Sequence, residues 1–246
     1  MSFEKVNIRI EHTGEFPVAV ISLGRTMEFL SSAVFNGGPS SAEDIVIIEV
    51  PKDYNCEDPR KDIGSVIDGL ELPSGTVGFM TAAEIEYVLT SVKTSYRGVD
   101  TMAIVTAGLS NQVIAGEELK DWVHKHEVSK KRAAALRYAG TINVIGISPN
   151  PLTDAAKVNA IIAMTEAKTA ALRDLGYTET GTTSDAIAVV SPSGEDREQY
   201  AGTGLPLGIS MARSVRSAVR RALIKRGDFP ERLSDEERSA LKEMYS

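Results

Sequence analysis

An α+β fold, with a mixed or largely antiparallel sheet that contains hairpins and is covered by helices, is what this 246-residue sequence predicts. Three observations carry the prediction. Two stretches of strand-like apolar residues each run through a turn into a second such stretch, which is the pattern of a hairpin. Two long segments, 153–175 and 207–225, have helical spacing. Other strands stand singly between helices, and this mixture differs from the strict alternation of a doubly wound sheet.

In chain order, Val6, Ile8 and Ile10 alternate with polar neighbours as a half-buried strand does, and Gly14-Glu15-Phe16-Pro17 punctuates it before a second strand at 18–23. Residues 25–30 fit a short helix or an extended segment. Residues 44–50 are strand-like and end at Pro51, 58–70 read as a helix, and 75–80 as a strand. The alternation over 88–96, the turn Arg97-Gly98-Val99-Asp100 and the apolar run 102–106 form the second hairpin. Another strand at 141–147 is closed by Ser148-Pro149-Asn150-Pro151.

The helix over 153–175 ends at Gly176 as a C-terminal cap. A strand at 186–190 stops at Ser191-Pro192-Ser193-Gly194. The helix at 207–225 sets Ile209, Ala212, Val215, Val219 and Leu223 on one face, and Ser234 with Glu237 forms a capping box for a last helix. With no repeat or dividing linker, residues 1–246 read as one domain in which 227–246 is a C-terminal helical tail.

Composition narrows the function. A net charge of −7 argues against a general nucleic-acid binder. The single cysteine, Cys56, excludes an internal disulfide and a cysteine-cluster zinc site, and fits a reducing cytosol. The start of the chain lacks the basic-then-apolar pattern of a secretory signal, and no apolar run approaches the roughly 18 residues of a membrane helix, so a cytoplasmic protein without membrane contact is expected. Neither a phosphate-loop motif nor a strand-linked dinucleotide fingerprint is present. A homo-oligomer stays open.

The polar, glycine-bearing turn Gly181-Thr182-Thr183-Ser184-Asp185, at the mouth of the apolar run 186–190, resembles a ligand site. Gly181 admits close backbone approach, and the hydroxyls and carboxylate offer polar contacts. Ser31–Gly38, Thr106–Asn111 and Glu166–Thr169 are further candidates. In order along the chain, SSAVFNGG (31–38), GFMTA (78–82), VTAGLSNQVIAG (105–116), GTINVIG (140–146), LTDAAKVNAIIAMTEAKTAALRDLG (152–176), GTTSDAIAVV (181–190) and YAGTGLPLG (200–208) together resemble the adenosylcobinamide amidohydrolase family. Each is weak alone; in this order they are specific. Gln112, and the Gly204-Leu205-Pro206 stretch, depart from the pattern.

The resemblance implies hydrolysis of the amide joining aminopropanol to the corrin ring of adenosylcobinamide, giving adenosylcobyric acid in corrinoid salvage. No cofactor is implied beyond the cobalt that the substrate itself carries, and no protein metal ligands are assigned. Amide hydrolysis needs a nucleophile, a proton carrier and oxyanion donors. Asp185 is the best general-base candidate, with Glu166 a second catalytic carboxylate. Thr183 and Ser110 are nucleophile candidates, and a water activated by Asp185 or Glu166 is an equal alternative. Asn36, Gly37, Gly38, Thr106, Asn111, Lys168 and Thr182 are expected to contact substrate. On an ideal helix Glu166 and Lys168 point to different sides: Asn159, Ile162, Ala163 and Glu166 share one stripe, and Ile161, Met164, Lys168, Leu172 and Leu175 the other. The three histidines, His12, His124 and His126, fall outside the family-like segments, which disfavours a Ser-His-Asp triad; His124 and His126 could pair on a metal only if their polar segment were a strand. Arg213, Arg216 and Arg220 read as a solvated helical face, with an anion site as the alternative. Trp122 belongs to no stacking platform.

Overall fold

The computed structural model describes residues 3–14, 16–51, 54–118 and 140–245. After a 3₁₀ turn at Phe3–Lys5 come β1 (Asn7–Thr13), β2 (Phe16–Ser31), β3 (Gly38–Glu49), α1 (Pro59–Gly69), β4 (Val77–Thr81), α2 (Ile85–Val88), β5 (Thr90–Tyr96), β6 (Val99–Thr106) and β7 (Gln112–Val113). Then follow β8 (Asn143–Ile147), α3 (Asp154–Asp174), β9 (Gly181–Thr182), β10 (Ala186–Ser191), α4 (Pro206–Arg226) and α5 (Asp235–Tyr245). The main sheet runs β4-β3-β2-β10-β8-β6-β5, with β1 also on β2, while β7 and β9 form a separate two-stranded ribbon. Within it β3–β4 and β8–β10 are parallel and the other pairs antiparallel. This is the α+β architecture with a largely antiparallel sheet that the hairpin pattern predicts.

Both expected hairpins form. Arg97 (φ 49°) and Gly98 (φ 79°) are both left-handed, the backbone of a tight hairpin turn whose twist matches its strands. Residues 25–30, ambiguous in sequence, are extended: β2 is 16 residues long and passes through an irregularity between Ser22 and Met27. The irregularity contains Gly24 at φ 71°, and it interrupts the simple alternation by which a strand is recognised. β3 begins at Gly38, ahead of the expected 44, because its first half is polar and lies over the second half of β2.

The sheet curls on itself. In a flat sheet the four steps from β4 to β8 would span about 19 Å, yet Asn143 Nδ2 donates to Met80 O at 3.0 Å. Asn143 also donates to Thr106 Oγ1 at 3.2 Å. The enclosed face carries Ile21, Met27, Phe29, Ile45, Phe79, Ile104 and Ile145. On the other face, α1 covers one end through Ile63 and Ile67. The second end is covered by α3 and α4, which press Met164 and Met211 onto Gly146 of β8. A Cβ at Gly146 would lie 2.7 Å from both methionine side chains, so a glycine permits this helix–sheet approach. The buried face of α4 is rotated from the expected stripe: Met211, Ala218 and Ala222 join Val215, Val219 and Leu223 inside, and Ile209 and Ala212 are only partly buried.

Thr153 caps α3 by accepting from Ala156 N at 3.2 Å, and Gly176 takes the left-handed turn after it at φ 87°. At the far end of β10, Glu28 accepts two hydrogen bonds from Arg197 (2.8 and 2.7 Å) and one from buried Lys157 (2.9 Å). These bonds, Arg197 first, hold the Glu28 carboxyl at about 2, well below its ordinary value. The α5 capping box forms as expected: Glu237 N donates to Ser234 Oγ at 3.2 Å and Ser234 N to Glu237 Oε2 at 2.8 Å.

Candidate active site

Four segments converge where β8 and β10 begin. β9 pairs with β7 so that Gln112 faces Thr182 and Val113 faces Gly181. This draws the loop after β6 against the 181–185 turn. Gly108 N donates to Thr141 O at 3.2 Å, tying that loop to the entry of β8, and Leu109 N donates to Asp228 Oδ2 at 3.3 Å. Burial pushes the Asp228 carboxyl up, with Arg226 opposing the shift. Gly140 lies so close to the loop that a Cβ there would stand 2.6 Å from Gly108 O and 2.8 Å from Asn111 Oδ1.

Asp185 is the hub. Its Oδ1 accepts from Thr182 Oγ1 at 2.5 Å and Ile142 N at 3.1 Å. Its Oδ2 accepts from Thr182 N at 3.1 Å and from the ammonium of Lys168. An ionised carboxylate has about four acceptor positions, and each of these donors takes one. Both members of the ion pair are nearly enclosed, with side-chain exposures of 9% for Lys168 and 11% for Asp185. Lys168 comes from the buried stripe of α3 that includes Met164, Ala167, Ala171 and Leu172, so helical periodicity delivers its amine to the strand mouth. Gly181 makes the contact feasible, since a Cβ there would collide with Asp185 Oδ2 and the Lys168 amine.

The neighbouring hydroxyls divide. Thr183 is exposed, accepts from Asn111 Nδ2 at 2.7 Å, and donates its backbone N–H to Asn111 O at 3.3 Å. Ser184 and Thr141 share a hydrogen bond of 2.7 Å between their hydroxyls. Ser110 is partly buried beside Gly140. Thr106 is fully buried and its hydroxyl faces Asn143 inside the curled sheet.

Other expected residues lie apart from this hub. Asn36, at φ 53°, gives its amide N–H groups to Ser74 O and Thr76 O at 2.9 Å each, bracing the approach to β4. Gly37 has no room for a Cβ beside Ala33 O, and Gly38 turns at φ 82° into β3. The same segment reaches β10 through Ser32, whose Oγ accepts from Ile187 N at 3.0 Å. Glu166 is exposed on the outer stripe of α3, where it lines a shallow cavity of about 130 Å³ with Asn159, Ile162, Ala163, Gly202 and Thr203.

Arg216 and Arg220 clasp Asp174, Arg213 stacks over Tyr96 and Arg220 over Tyr245, so this arginine face is engaged with the protein and is not simply solvated. His12 meets exposed Glu86 at 3.2 Å. His124, His126 and Trp122 lie outside the described residues. Among the described residues, no three His, Cys, Asp or Glu side chains gather in a metal-binding cluster.

The profile of the adenosylcobinamide amidohydrolase family matches residues 4–230, which include every segment of the hub. The chain belongs to this family. An adenosylcobinamide amidohydrolase of Methanosarcina mazei is 31% identical over 208 residues, 80% of this chain and 90% of its own length. One of Halobacterium salinarum is 31% identical over 205 residues, 79% of this chain and 80% of that one. A solved structure from Pyrococcus horikoshii aligns over 98% of this chain and 92% of its own with a TM-score of 0.49 at 12% identity, a likeness too loose to bear on the site.

Within this family member, sequence reasoning passed over Thr141, Ile142 N, Asn143 and Asp228. Thr141 and Asn143 belong to the GTINVIG segment and carried a visible signal. The Ile142 N–H carried none, because a backbone donor has no signature in sequence.

Proposed function

We propose that this chain hydrolyses the aminopropanol amide of adenosylcobinamide to adenosylcobyric acid, as a cytoplasmic step of corrinoid salvage, and that the Lys168–Asp185 pair is its chemical centre. Family membership supports the reaction, and the enclosed pair sharing its carboxylate with Thr182 supports the centre. Residues 1–246 act as one amidohydrolase domain with 227–246 as its helical tail.

Thr182 relays the proton of the attacking water: its hydroxyl passes a proton to Asp185 Oδ1 and takes one from the water. The water oxygen bonds to the amide carbon, and the oxyanion that forms is met by the Lys168 ammonium. Asp185 returns the proton through Thr182 to the amine nitrogen as the carbon–nitrogen bond breaks, releasing aminopropanol and the new acid. Thr183, steadied by Asn111, holds the substrate at the rim. Ser110 sits beside Gly140 and next to Asn111, and Asn36, Gly37 and Gly38 meet the substrate from the segment that reaches β10 through Ser32.

The test is incubation of the purified chain with adenosylcobinamide and mass spectrometry of the products. Adenosylcobyric acid and free aminopropanol in equal amounts are expected. Corrinoid bound without cleavage would make the chain a corrinoid-binding protein instead, and neither binding nor product would remove this substrate.

A further inference from the structure

Helix α4 ends at Arg226, and Gly227 turns left-handed behind it at φ 78°. The Asp228 N–H then bonds back to Leu223 O at 3.0 Å, which folds Asp228 against the end of the helix. Helix stability does not call for a carboxylate there. The C-terminal end of a helix carries partial negative charge, which Lys225 and Arg226 complement and an acid opposes. Burial works against the same charge and pushes the carboxyl up. What offsets these costs is contact. Arg226 approaches Asp228 Oδ2 at 3.5 Å, but that guanidinium also has Glu84 at 3.6 Å. The contact particular to Asp228 is the one its Oδ2 makes with Leu109 N at 3.3 Å.

That N–H belongs to the loop that shapes the candidate site. Before it, Gly108 N is tied to Thr141 O; after it, Asn111 O receives Thr183 N. The Leu109 side chain is buried in the core that α3 and α4 cover, so with its N–H held as well this residue is fixed at both backbone and side chain. Two residues on, Asn111 Nδ2 donates to Thr183 Oγ1 at 2.7 Å. The contacts therefore run from Asp228 through Leu109 and Asn111 to the exposed Thr183. We propose that Asp228 is a positioning residue: by holding the Leu109 N–H it sets Asn111, and through Asn111 it fixes the Thr183 hydroxyl for contact with substrate. The proposal rests on the corrinoid reading above and deepens it, assigning part of the affinity for substrate to a residue that does not touch it.

The experiment is a visible-absorbance titration of the full chain with cobinamide. Asp228→Leu removes the acceptor, and Asp228→Asn keeps it without the charge. Arg226→Met combined with Asp228→Leu removes both charges of the pair, and takes the place of Asp228→Leu if that variant does not fold. Thr183→Val removes the hydroxyl at the exposed end. Loss of the acceptor and loss of the hydroxyl are each expected to weaken binding about tenfold, the scale of one hydrogen bond. Together they are expected to weaken it no further, because both act through one contact. Asp228→Asn is expected to bind close to the wild type. Losses that multiply to about a hundredfold, wild-type affinity without the acceptor, or equal losses in Asp228→Asn and Asp228→Leu would overturn the proposal. So would a loss confined to the number of binding sites per chain, which is what a merely structural defect produces, or no corrinoid binding by the wild type. Turnover of adenosylcobinamide, measured on the same wild-type preparation, judges the hydrolase reading separately. Turnover without the shared loss retires Asp228 alone. A shared loss without turnover retires the hydrolase and keeps the tether.

Discussion

At the scale of single residues, the proposed chemistry rests on the pairing of Lys168 with Asp185. Removing one partner strands a buried charge, which costs about 3–5 kcal/mol, so Lys168→Met and Asp185→Asn are expected to lose stability together with turnover. Turnover should fall about 10²–10⁴-fold, the contribution of a placed acid–base group. The double variant separates the two effects, because it removes both charges at once. It is expected to regain much of the stability, read from denaturant midpoints, and none of the activity; recovered activity would take the pair out of the chemistry. Glu166, on the cavity-lined outer stripe, is expected to act on binding, with Glu166→Gln raising KM and leaving kcat nearly unchanged. Asp185 was legible in the sequence because a carboxylate after two threonines at a strand mouth is conspicuous. Lys168 was legible only as a lysine on an apolar stripe; that the stripe ends at Asp185 depends on how α3 lies across the sheet.

Among the elements, the β7–β9 ribbon assembles the candidate site, although each of its strands is two residues long and has no periodicity to read. Its tightness can be tested at a glycine. Gly181→Ala puts a methyl group into the Lys168–Asp185 contact and is expected to cost about 1–3 kcal/mol, as overpacking does, together with activity. Gly204→Ala, where a Cβ meets nothing within 4 Å, is the control and should change neither. A tolerated Gly181→Ala, seen in unchanged melting and turnover, would mean that the ion pair is looser than this geometry. Helices α3 and α4 were readable by their caps and spacing. β2 and the first half of β3 were not, because an irregularity and polar surface positions hide a strand whose order comes from its neighbours.

The whole molecule is a curled sheet with helices at both ends of its outer face, and it is clamped at the end of β10 remote from the site. There Glu28 on β2 binds Arg197 from the following loop and Lys157 from α3. The folded carboxyl lies at about 2 against an ordinary 4.5, so its stabilisation is fully present above 4.5 and is lost as pH falls toward 2. Chemical denaturation of wild type and Glu28→Gln across that range should show a gap of about 3 kcal/mol at neutral pH, closing as the solution is acidified. A gap independent of pH would assign the clamp to packing and not to charge.

Local rules sufficed for much of this protein. Alternation and helical spacing specify the hairpins, the two long helices and the α+β class, since these depend on residues a few positions apart. The ordered motifs specify the family, and Gly181–Asp185 stands out by composition. Tertiary structure alone decided which polar residues meet. Thr106 resembles a site hydroxyl in sequence but lies inside the curl, because closure of the sheet brings it against Asn143. Asn36 spends its amide on the approach to β4. Lys168 and Asp185, 17 positions apart, touch because α3 crosses back over the strand it precedes. Such contacts depend on the curvature of the sheet and the seat of a helix, which are set by the packing of the whole core and not by any one segment.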